Sequence, residues 1–416
     1  MIETGSAATD PLPSRCDVLV VGAGPAGSAC AQWLARSGLD VLLVDQHAFP
    51  RDKICGDALI PDAHRALERL GVADAVRAAA QHVAHVGCIA PRGGRIDVPG
   101  TLSVLPRKAL DHILCRSAQR AGARFAAPVR FDGVIEDAHG QVVGARLRAN
   151  ASVQEVQARW VVLATGAVPQ AMLAAGLCER RTPSGVALRG YVKNDAMVGR
   201  ISALEVVWHK RLSTGYGWVF PAPGGLFNIG VGLAHSHAKG ADGRGTMADV
   251  NLRRMLETFC KVHEPARELM AGATWIGELK GAPLRCSLDG ARYSRPGLLA
   301  TGEAIGSTYA FTGEGIGKAL ETGLLAAEAI LGGADDEPAV RERYAAALGE
   351  LKPKFDLYER ANLVNRHPWL ADLLIWRARR SPRILRRMEG VLEETNNPGN
   401  LVTPKGLLRL FMPIRG

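Results

Sequence analysis

Short apolar runs that end at glycine alternate with stretches of helical spacing along the first part of the chain, and this alternation predicts a β-α-β unit at its start. Cys16 to Val21 is apolar and β-branched, Pro25 to Ser37 is Ala-rich with helical periodicity, and Leu39 to Val44 is apolar again. A unit of about 30 residues has the size of a right-handed crossover joining two parallel strands. Farther on, Leu110, Ile113 and Leu114 recur at helical spacing within 107–120, and two alternating segments follow, Val129 to Glu136 and Val142 to Leu147. Trp160 to Leu163 reads as another buried strand, ending in Ala164, Thr165 and Gly166. From 184 to 275 the pattern changes. Strand-like runs (Leu204 to Trp208, Gly217 to Phe220, Leu226 to Val231) are separated by Gly and Pro turns, which predicts an inserted antiparallel sheet. Leu298 to Thr301 is a last apolar strand, and the Ala-rich stretch from Gly315 to Leu331 predicts a helix returning to the first unit. The expected organisation is α/β: a polar, frayed tail over 1–14, a discontinuous nucleotide-binding domain over 15–183 and 276–335, an antiparallel-sheet substrate domain over 184–275, and a helical region over 336–416.

Composition narrows this picture. Glycine is abundant, at 47 of 416 residues, so tight turns and close backbone approaches must be frequent. No stretch approaches the roughly 18 consecutive apolar residues of a membrane span, and the N-terminus lacks the basic start and apolar run of a secretory signal. Eight cysteines lie scattered without a CxxC or CxxxC pair, which indicates neither a zinc site nor a disulfide framework. A reducing cytoplasm is the expected compartment, and no metal is expected. The net charge of +10 is concentrated late: residues 351–416 hold 13 Lys or Arg against 6 Asp or Glu.

The chemistry begins at the first turn. Gly22, Gly24 and Gly27 form GxGxxG directly after a strand and at a helix start, with Pro25 and Ala26 between them. The first glycine permits the turn, the second lets a pyrophosphate approach the backbone, and the third packs helix on strand. Free N–H groups at the helix N-terminus attract the anion. Asp45, followed by Gln46, closes the second strand 18 residues after Gly27, where a carboxylate accepts from ribose hydroxyls and disfavours a 2′-phosphate. A second glycine-rich strand-to-helix turn lies in LLATGEAIGSTYAFTGEGIGKAL, residues 298–320. Gly313, Gly315 and Gly317, with Ile316, place N–H groups at another helix start, suited to the N1 and O2 edge of a reduced flavin, and Glu303 after Gly302 can accept from ribityl hydroxyls. The pair of turns argues for FAD rather than NAD. A plain packing helix with a glycine-rich entry is the other explanation of the second turn.

Three blocks resemble the geranylgeranyl reductases, within the FAD enzymes of the para-hydroxybenzoate hydroxylase type: GAGPAG with Asp45, PRDKICGDAL from Pro50 to Leu59, and YGWVFP from Tyr216 to Pro221 followed by Gly230 and Gly232. The resemblance covers nearly the whole chain. It implies that Tyr216, Trp218, Phe220, Gly230 and Gly232 line an isoprenoid cavity, that Arg107, Lys53, Thr165 and Gly166 contact the cofactor, that Val129 packs or hydrogen-bonds by its backbone near the adenine, and that Cys55 and Gly56 lie beside the flavin ring; a surface arginine at a helix start is the other explanation of Arg107. The family's GD motif stands here as Gly302 and Glu303, one methylene longer, which leaves the ribityl contact open. Tyr216, Trp218 and Phe220 alternate and so share one face of a strand, either as sheet core or as a tunnel wall. Cys55 is either a proton donor or a small buried residue without reactivity.

The expected reaction is reduction of carbon–carbon double bonds in an apolar isoprenoid or lipid-like substrate, with Cys55, Tyr216 or a trapped water giving the proton. No second GxGxxG exists, so NAD(P)H as a transient visitor or a reduced redox protein would supply electrons. Hydroxylation or halogenation of an aromatic or polyketide-like intermediate on the same scaffold is the alternative, and an electron-transfer flavoprotein a third. Trp369 to Trp376, RARRSPRILRRM (377–388) and LLRLFMPI (407–414) suit either helices packed on the core or helices at an anionic membrane surface, peripheral to its inner face. Nucleic-acid binding is not expected, because no recognition fold accompanies the charge.

Overall fold

A computed structural model of the protein describes residues 11–149, 152–212, 214–234, 250–333 and 335–395. The β-α-β start is as expected: strand Arg15–Val21, helix Pro25–Arg36 and strand Val41–Val44, the two strands running parallel with Val18 opposite Val41. They lie at the centre of a sheet whose parallel order is Leu298–Ala300, Ser152–Leu163, Arg15–Val21, Val41–Val44, Arg124–Ala126. Val18–Val21, Val41–Val44 and Leu298–Ala300 are buried without alternation, so both faces of this core are covered. The hairpin Val129–Glu136 and Val142–Ala149 folds against the long strand Ser152–Leu163. Helices Pro25–Arg36 and Ile316–Gly333 cross closely, and Gly323 is what allows it: a Cβ there would meet the Ala26 carbonyl oxygen at 2.2 Å. The tail expected over 1–14 is docked over its described part, 11–14. The Leu12 N–H donates to Gln154 Oε1 at 3.0 Å, and the Ser14 carbonyl accepts from the Gln157 N–H at 2.9 Å.

The second sheet runs Thr274–Leu284, Gly185–Lys193, Leu226–Ala234, Gly215–Ala222, Leu204–Val207, Gln81–Ile89, Arg95–Val104, Ala58–Leu59. It therefore draws strands from within 58–104, a stretch placed above in the nucleotide-binding domain. It is also mixed rather than antiparallel throughout, since Leu204–Val207 pairs parallel with Gln81–Ile89. Polar residues interleave His82, His85 and Arg95 into these strands, which hides their alternation. Thr274–Leu284 likewise runs past the boundary placed at 275. Behind this sheet pack helices Leu252–Val262 and Glu264–Ala271, through Met255, Leu256, Phe259 and Leu269.

The C-terminal region is helical. Glu337–Ala361 seats Val340, Tyr344, Leu348 and Phe355 on the first core, and the Tyr344 hydroxyl donates to the Ala300 carbonyl at 2.7 Å. Helices Trp369–Ala378 and Pro382–Leu392 pack Leu370, Ile375 and Ile384 against Ile96, Val98 and Trp208 of the second sheet. These helices are thus packed on the core, although Trp369 and Trp376 are exposed. The segment LLRLFMPI lies outside the described residues. Among the described residues no helix is long and apolar enough to cross a membrane.

Candidate active site

A cavity of about 930 Å³ lies between the two sheets, at the upper end of the range for small-molecule sites. One end opens at the carboxyl ends of Arg15–Val21 and Val41–Val44, where a doubly wound sheet binds its ligand. Gly22, Gly24, Pro25, Ala26, Asp45, Gln46, Lys53, Val129, Thr165 and Gly166 line that end. Gly27 does not reach the cavity. It holds the helix to the turn, since a Cβ there would sit 1.8 Å from the Gly22 carbonyl oxygen. Gly22 has φ +105, and a Cβ on it would meet the Ala164 carbonyl oxygen at 2.3 Å. The turn therefore accepts no side chain at either position.

Asp45 is fixed from two sides: Oδ2 accepts the Ala23 N–H at 2.9 Å and Oδ1 the His47 N–H at 2.9 Å. The Val129 N–H is spent on the Asp45 carbonyl at 2.7 Å, so Val129 meets a ligand by packing rather than by that donor. Two guanidinium groups stand over the turn. A Cβ at Gly24 would lie 3.6 Å from Arg51 Nη2 and 3.8 Å from Arg107 Nη2. Arg107 is buried and holds Asp111 through Nε at 2.6 Å and Nη2 at 2.8 Å, while Arg51 Nη1 reaches the same carboxylate at 2.8 Å. Asp111 thus holds both guanidinium groups in place over the glycine turn, and Arg51 Nη2 also lies 3.6 Å from Asp45 Oδ2, so the two cations are balanced by two carboxylates and stand ready as donors beside the turn. Neither Arg51 nor Asp111 was singled out from the sequence, although Arg51 lies within the block PRDKICGDAL and Asp111 one helical turn after Arg107; no spacing rule distinguishes them.

The loop 50–57 is clamped onto the second sheet by partners that no motif announced. Arg189 donates to the Cys55 carbonyl at 3.2 Å, the Lys53 carbonyl at 2.9 Å and Asp52 at 2.9 Å. Asn228 donates to the Cys55 carbonyl and to Asp57 Oδ2, both at 2.8 Å, and accepts from Trp218 Nε1 at 2.9 Å. The Tyr191 hydroxyl also donates to Asp57. Burial pushes the Asp57 carboxyl up to about 6 despite Arg189, Tyr191 and Asn228, which favour its charged form. Burial likewise raises the Cys55 thiol, with Arg107 opposing, so Cys55 has no thiolate character at neutral pH.

The middle of the cavity is formed by Cys55, Gly56, Glu303 and the turn 308–316, including Gly313, Gly315 and Ile316. Glu303 Oε1 accepts from Thr308 Oγ1 at 3.3 Å. The Gly313 N–H is already given to the Tyr309 carbonyl at 2.9 Å, so the donors left to a ligand at this turn come from the first residues of helix Ile316–Gly333. Gly302 and Gly317 lie behind the lining: a Cβ on the former would press on Ala26 at 2.7 Å, and one on the latter would strike the Asp62 carboxylate at 2.3 Å.

The far end is apolar. Tyr216, Trp218 and Phe220 do share one face, with successive ring centroids 6.2 and 6.3 Å apart, and Trp208 and Phe311 extend the wall, their rings stacked at 6.2 Å. Gly232 lines this end beside them, whereas Gly230 does not: a Cβ there would lie 2.3 Å from Trp218 Cζ2, so its bareness seats the indole. The Tyr216 hydroxyl donates to the Thr312 carbonyl at 2.6 Å, and burial raises its pKa. Ala371, Leu374, Ile375, Met388 and Leu392 of the C-terminal helices close the wall.

The residues fit FAD. The Thr165 hydroxyl is buried at the glycine-turn end without a protein partner, and the glycine turn, twin cations and ribose-side carboxylate supply the complement of a dinucleotide. Residues 15–211 match the model of a family described as an FAD binding domain. The chain is 35% identical over 338 residues to a menaquinone reductase of Mycolicibacterium smegmatis, covering 77% of each chain. It belongs to the geranylgeranyl reductase family of FAD-dependent oxidoreductases. A digeranylgeranylglycerophospholipid reductase of Methanopyrus kandleri is 29% identical over 316 residues, spanning 75% of this chain and 79% of that protein. The fold is that of a geranylgeranyl bacteriochlorophyll reductase-like protein from Thermoplasma acidophilum, with TM-score 0.70 and 23% identity over 95% of this chain and 96% of that one. Among the described residues no group of His, Cys, Asp or Glu side chains is arranged to hold a metal ion.

Proposed function

We propose that this protein saturates carbon–carbon double bonds in an isoprenoid chain carried by a quinone or a lipid. What carries the reading is a single cavity that runs without a break from the glycine turn, past Cys55 and Gly56, to a wall of aromatic and aliphatic side chains. When bound and reduced, FAD supplies the hydride. Gly22, Gly24, Arg51 and Arg107 would hold its pyrophosphate, Asp45 its ribose, Glu303 its ribityl chain, and the amides beginning at Gly315 and Ile316 the polar edge of its ring. Cys55 and Gly56 would border the ring, and Tyr216, Trp218, Phe220 and Gly232 would hold the prenyl chain and keep water away. Electrons would come from NAD(P)H as a transient visitor or from a reduced redox protein.

Anaerobic incubation of the chemically reduced, FAD-loaded protein with prenylated quinones and prenyl lipids tests this. The expected product has gained two hydrogens per double bond reduced. Product that forms only when oxygen is admitted would overturn the reading in favour of a hydroxylase.

We further propose that helices Trp369–Ala378 and Pro382–Leu392 rest on an anionic membrane surface from which a lipid chain enters. They expose Trp369 and Trp376, carry Arg383, Arg386 and Arg387 with Arg379 and Arg380 in the turn between them, and line the apolar end of the same cavity. The full-length protein should float with phosphatidylglycerol liposomes, and Trp369→Ala with Arg383→Glu and Arg386→Glu should sink. Absence of flotation by the intact protein, or equal flotation by the variant, refutes it.

A further inference from the structure

One ionisable side chain in the cavity has no part in the cofactor or substrate contacts above. Glu314 lies between Gly313, at φ +72, and Gly315, where the turn enters helix Ile316–Gly333, and its side chain lines the cavity. The turn is held rigidly. The Tyr309 N–H donates to the Glu314 carbonyl at 2.9 Å, the Gly313 N–H to the Tyr309 carbonyl at 2.9 Å, and the Tyr216 hydroxyl to the Thr312 carbonyl at 2.6 Å. Glu314 thus stands at the junction of the polar middle of the cavity and its aromatic wall.

Among the described residues Glu314 makes no ion pair. The nearest lysine in sequence, Lys318, is engaged elsewhere: with Glu321 at 2.5 Å, Glu394 at 2.9 Å and Asp62 at 3.6 Å. Other elements turn these groups toward Glu314: Asp62 from helix Pro61–Arg69, Glu394 after helix Pro382–Leu392, Tyr358 from helix Glu337–Ala361, and Tyr216 from its strand; against them, Lys318 and the Thr312 hydroxyl favour its charged form. Burial and the two facing carboxylates outweigh Lys318, whose ammonium is shared among three other carboxylates, and favour the protonated carboxyl.

We propose that Glu314 is the acid that protonates the substrate, a role that rests on the double-bond reduction inferred above. One alkene carbon accepts a hydride from the reduced cofactor, which is thereby oxidised. The other carbon takes the proton of the Glu314 carboxyl, the π bond breaks, two C–H bonds form, and the carboxylate left behind regains its proton from water. Burial first, and then the charges of Asp62 and Glu394, push the Glu314 carboxyl up to about 8, so it carries a proton at neutral pH and can release it. The two other candidates are less suited. The Cys55 thiol is raised by burial, and the Tyr216 hydroxyl is raised and already donated to a carbonyl.

Three measurements on the full-length protein test this with Glu314→Gln and Glu314→Asp. In infrared difference spectra of wild type minus E314Q, recorded with and without FAD, a protonated-carboxyl band should be present at pH 6 and gone at pH 10. Thermal unfolding supplies the linked sign: because the folded-state pKa lies above the unfolded value, the stabilisation is full below about pH 4.5 and falls away up to about pH 8, and E314Q should remove that slope. In single-turnover experiments E314Q should keep its FAD and its rate of reduction, but reoxidation by prenyl substrate should slow by about 100-fold or more, with E314D partly restored. Wild-type reoxidation rates in E314Q, or a carboxyl already ionised at pH 6, would overturn the proposal alone. A wild type inert toward every prenyl substrate would overturn the parent reading and this role with it.

Discussion

The two ends of the cavity are built by opposite means. At the glycine-turn end the backbone is the binding surface, and it has no spare volume: added Cβ atoms at Gly22 and Gly27 would sit 2.3 and 1.8 Å from carbonyl oxygens. Its charges are held in place by fixed partners, with Arg51 and Arg107 both on Asp111 and Asp45 on two backbone N–H groups. At the far end the surface is side chain. Trp208, the strand residues Tyr216, Trp218 and Phe220, and Phe311 come from three segments of the chain, and helices near the C-terminus complete the wall. A cofactor of fixed shape suits the first construction, because every donor can be placed in advance. A prenyl chain with many conformers suits the second, where contact is by area and any one side chain can be exchanged at modest cost.

The largest effect should follow from touching the first end. Gly22→Ala places a Cβ on a residue at φ +105 and against the Ala164 carbonyl, so strand, turn and helix cannot keep their register. The loss should reach several kcal/mol, on the order of 3 or more, with no FAD retained through gel filtration. Folded Gly22→Ala protein with a full complement of flavin would erase the contrast between the two ends.

That contrast also explains what could be read from the sequence. The β-α-β start, helix Arg107–Arg120, strand Val129–Glu136 and the late strand Leu298–Ala300 were legible because each carries its apolar positions close together in sequence at the spacing of its element. The glycine-turn end was legible because its parts are contiguous and its glycines are required by backbone geometry. Strands Gln81–Ile89 and Arg95–Val104 were not, since exposed polar residues such as His82, His85, Arg95 and Asp97 interrupt their apolar pattern and the pairing of Gln81–Ile89 with Leu204–Val207 is set more than 100 residues away. Arg189, Tyr191 and Asn228 were invisible for a related reason. They act on the loop 50–57 across 134 to 173 residues, and nothing local in their strands distinguishes a clamp from an ordinary buried polar residue. Glu314 lay inside a quoted motif, yet its character comes from burial first and then from the carboxylates of Asp62 and Glu394, brought in from distant parts of the chain.

The smallest effect should come from the second end, and it sharpens the comparison most. A Cβ on Gly232 would meet Trp218 Cζ3 at 3.4 Å, Ala187 Cβ at 3.6 Å and the Val186 carbonyl at 3.8 Å, all ordinary contacts, on a residue that lines the cavity. Gly232→Leu should therefore fold with stability within about 1 kcal/mol of wild type and retain its FAD. Its added side chain fills space needed by a chain, so KM for long prenyl substrates should rise about tenfold while short ones are less affected. Gly230, two residues earlier on the same strand, supplies the control: with Trp218 Cζ2 at 2.3 Å, Gly230→Ala must displace the indole, and its cost should appear as lost stability for every substrate alike. If Gly232→Leu instead loses flavin, or raises KM equally at all chain lengths, the cavity's far end is not an independent, adjustable wall but an extension of the cofactor site.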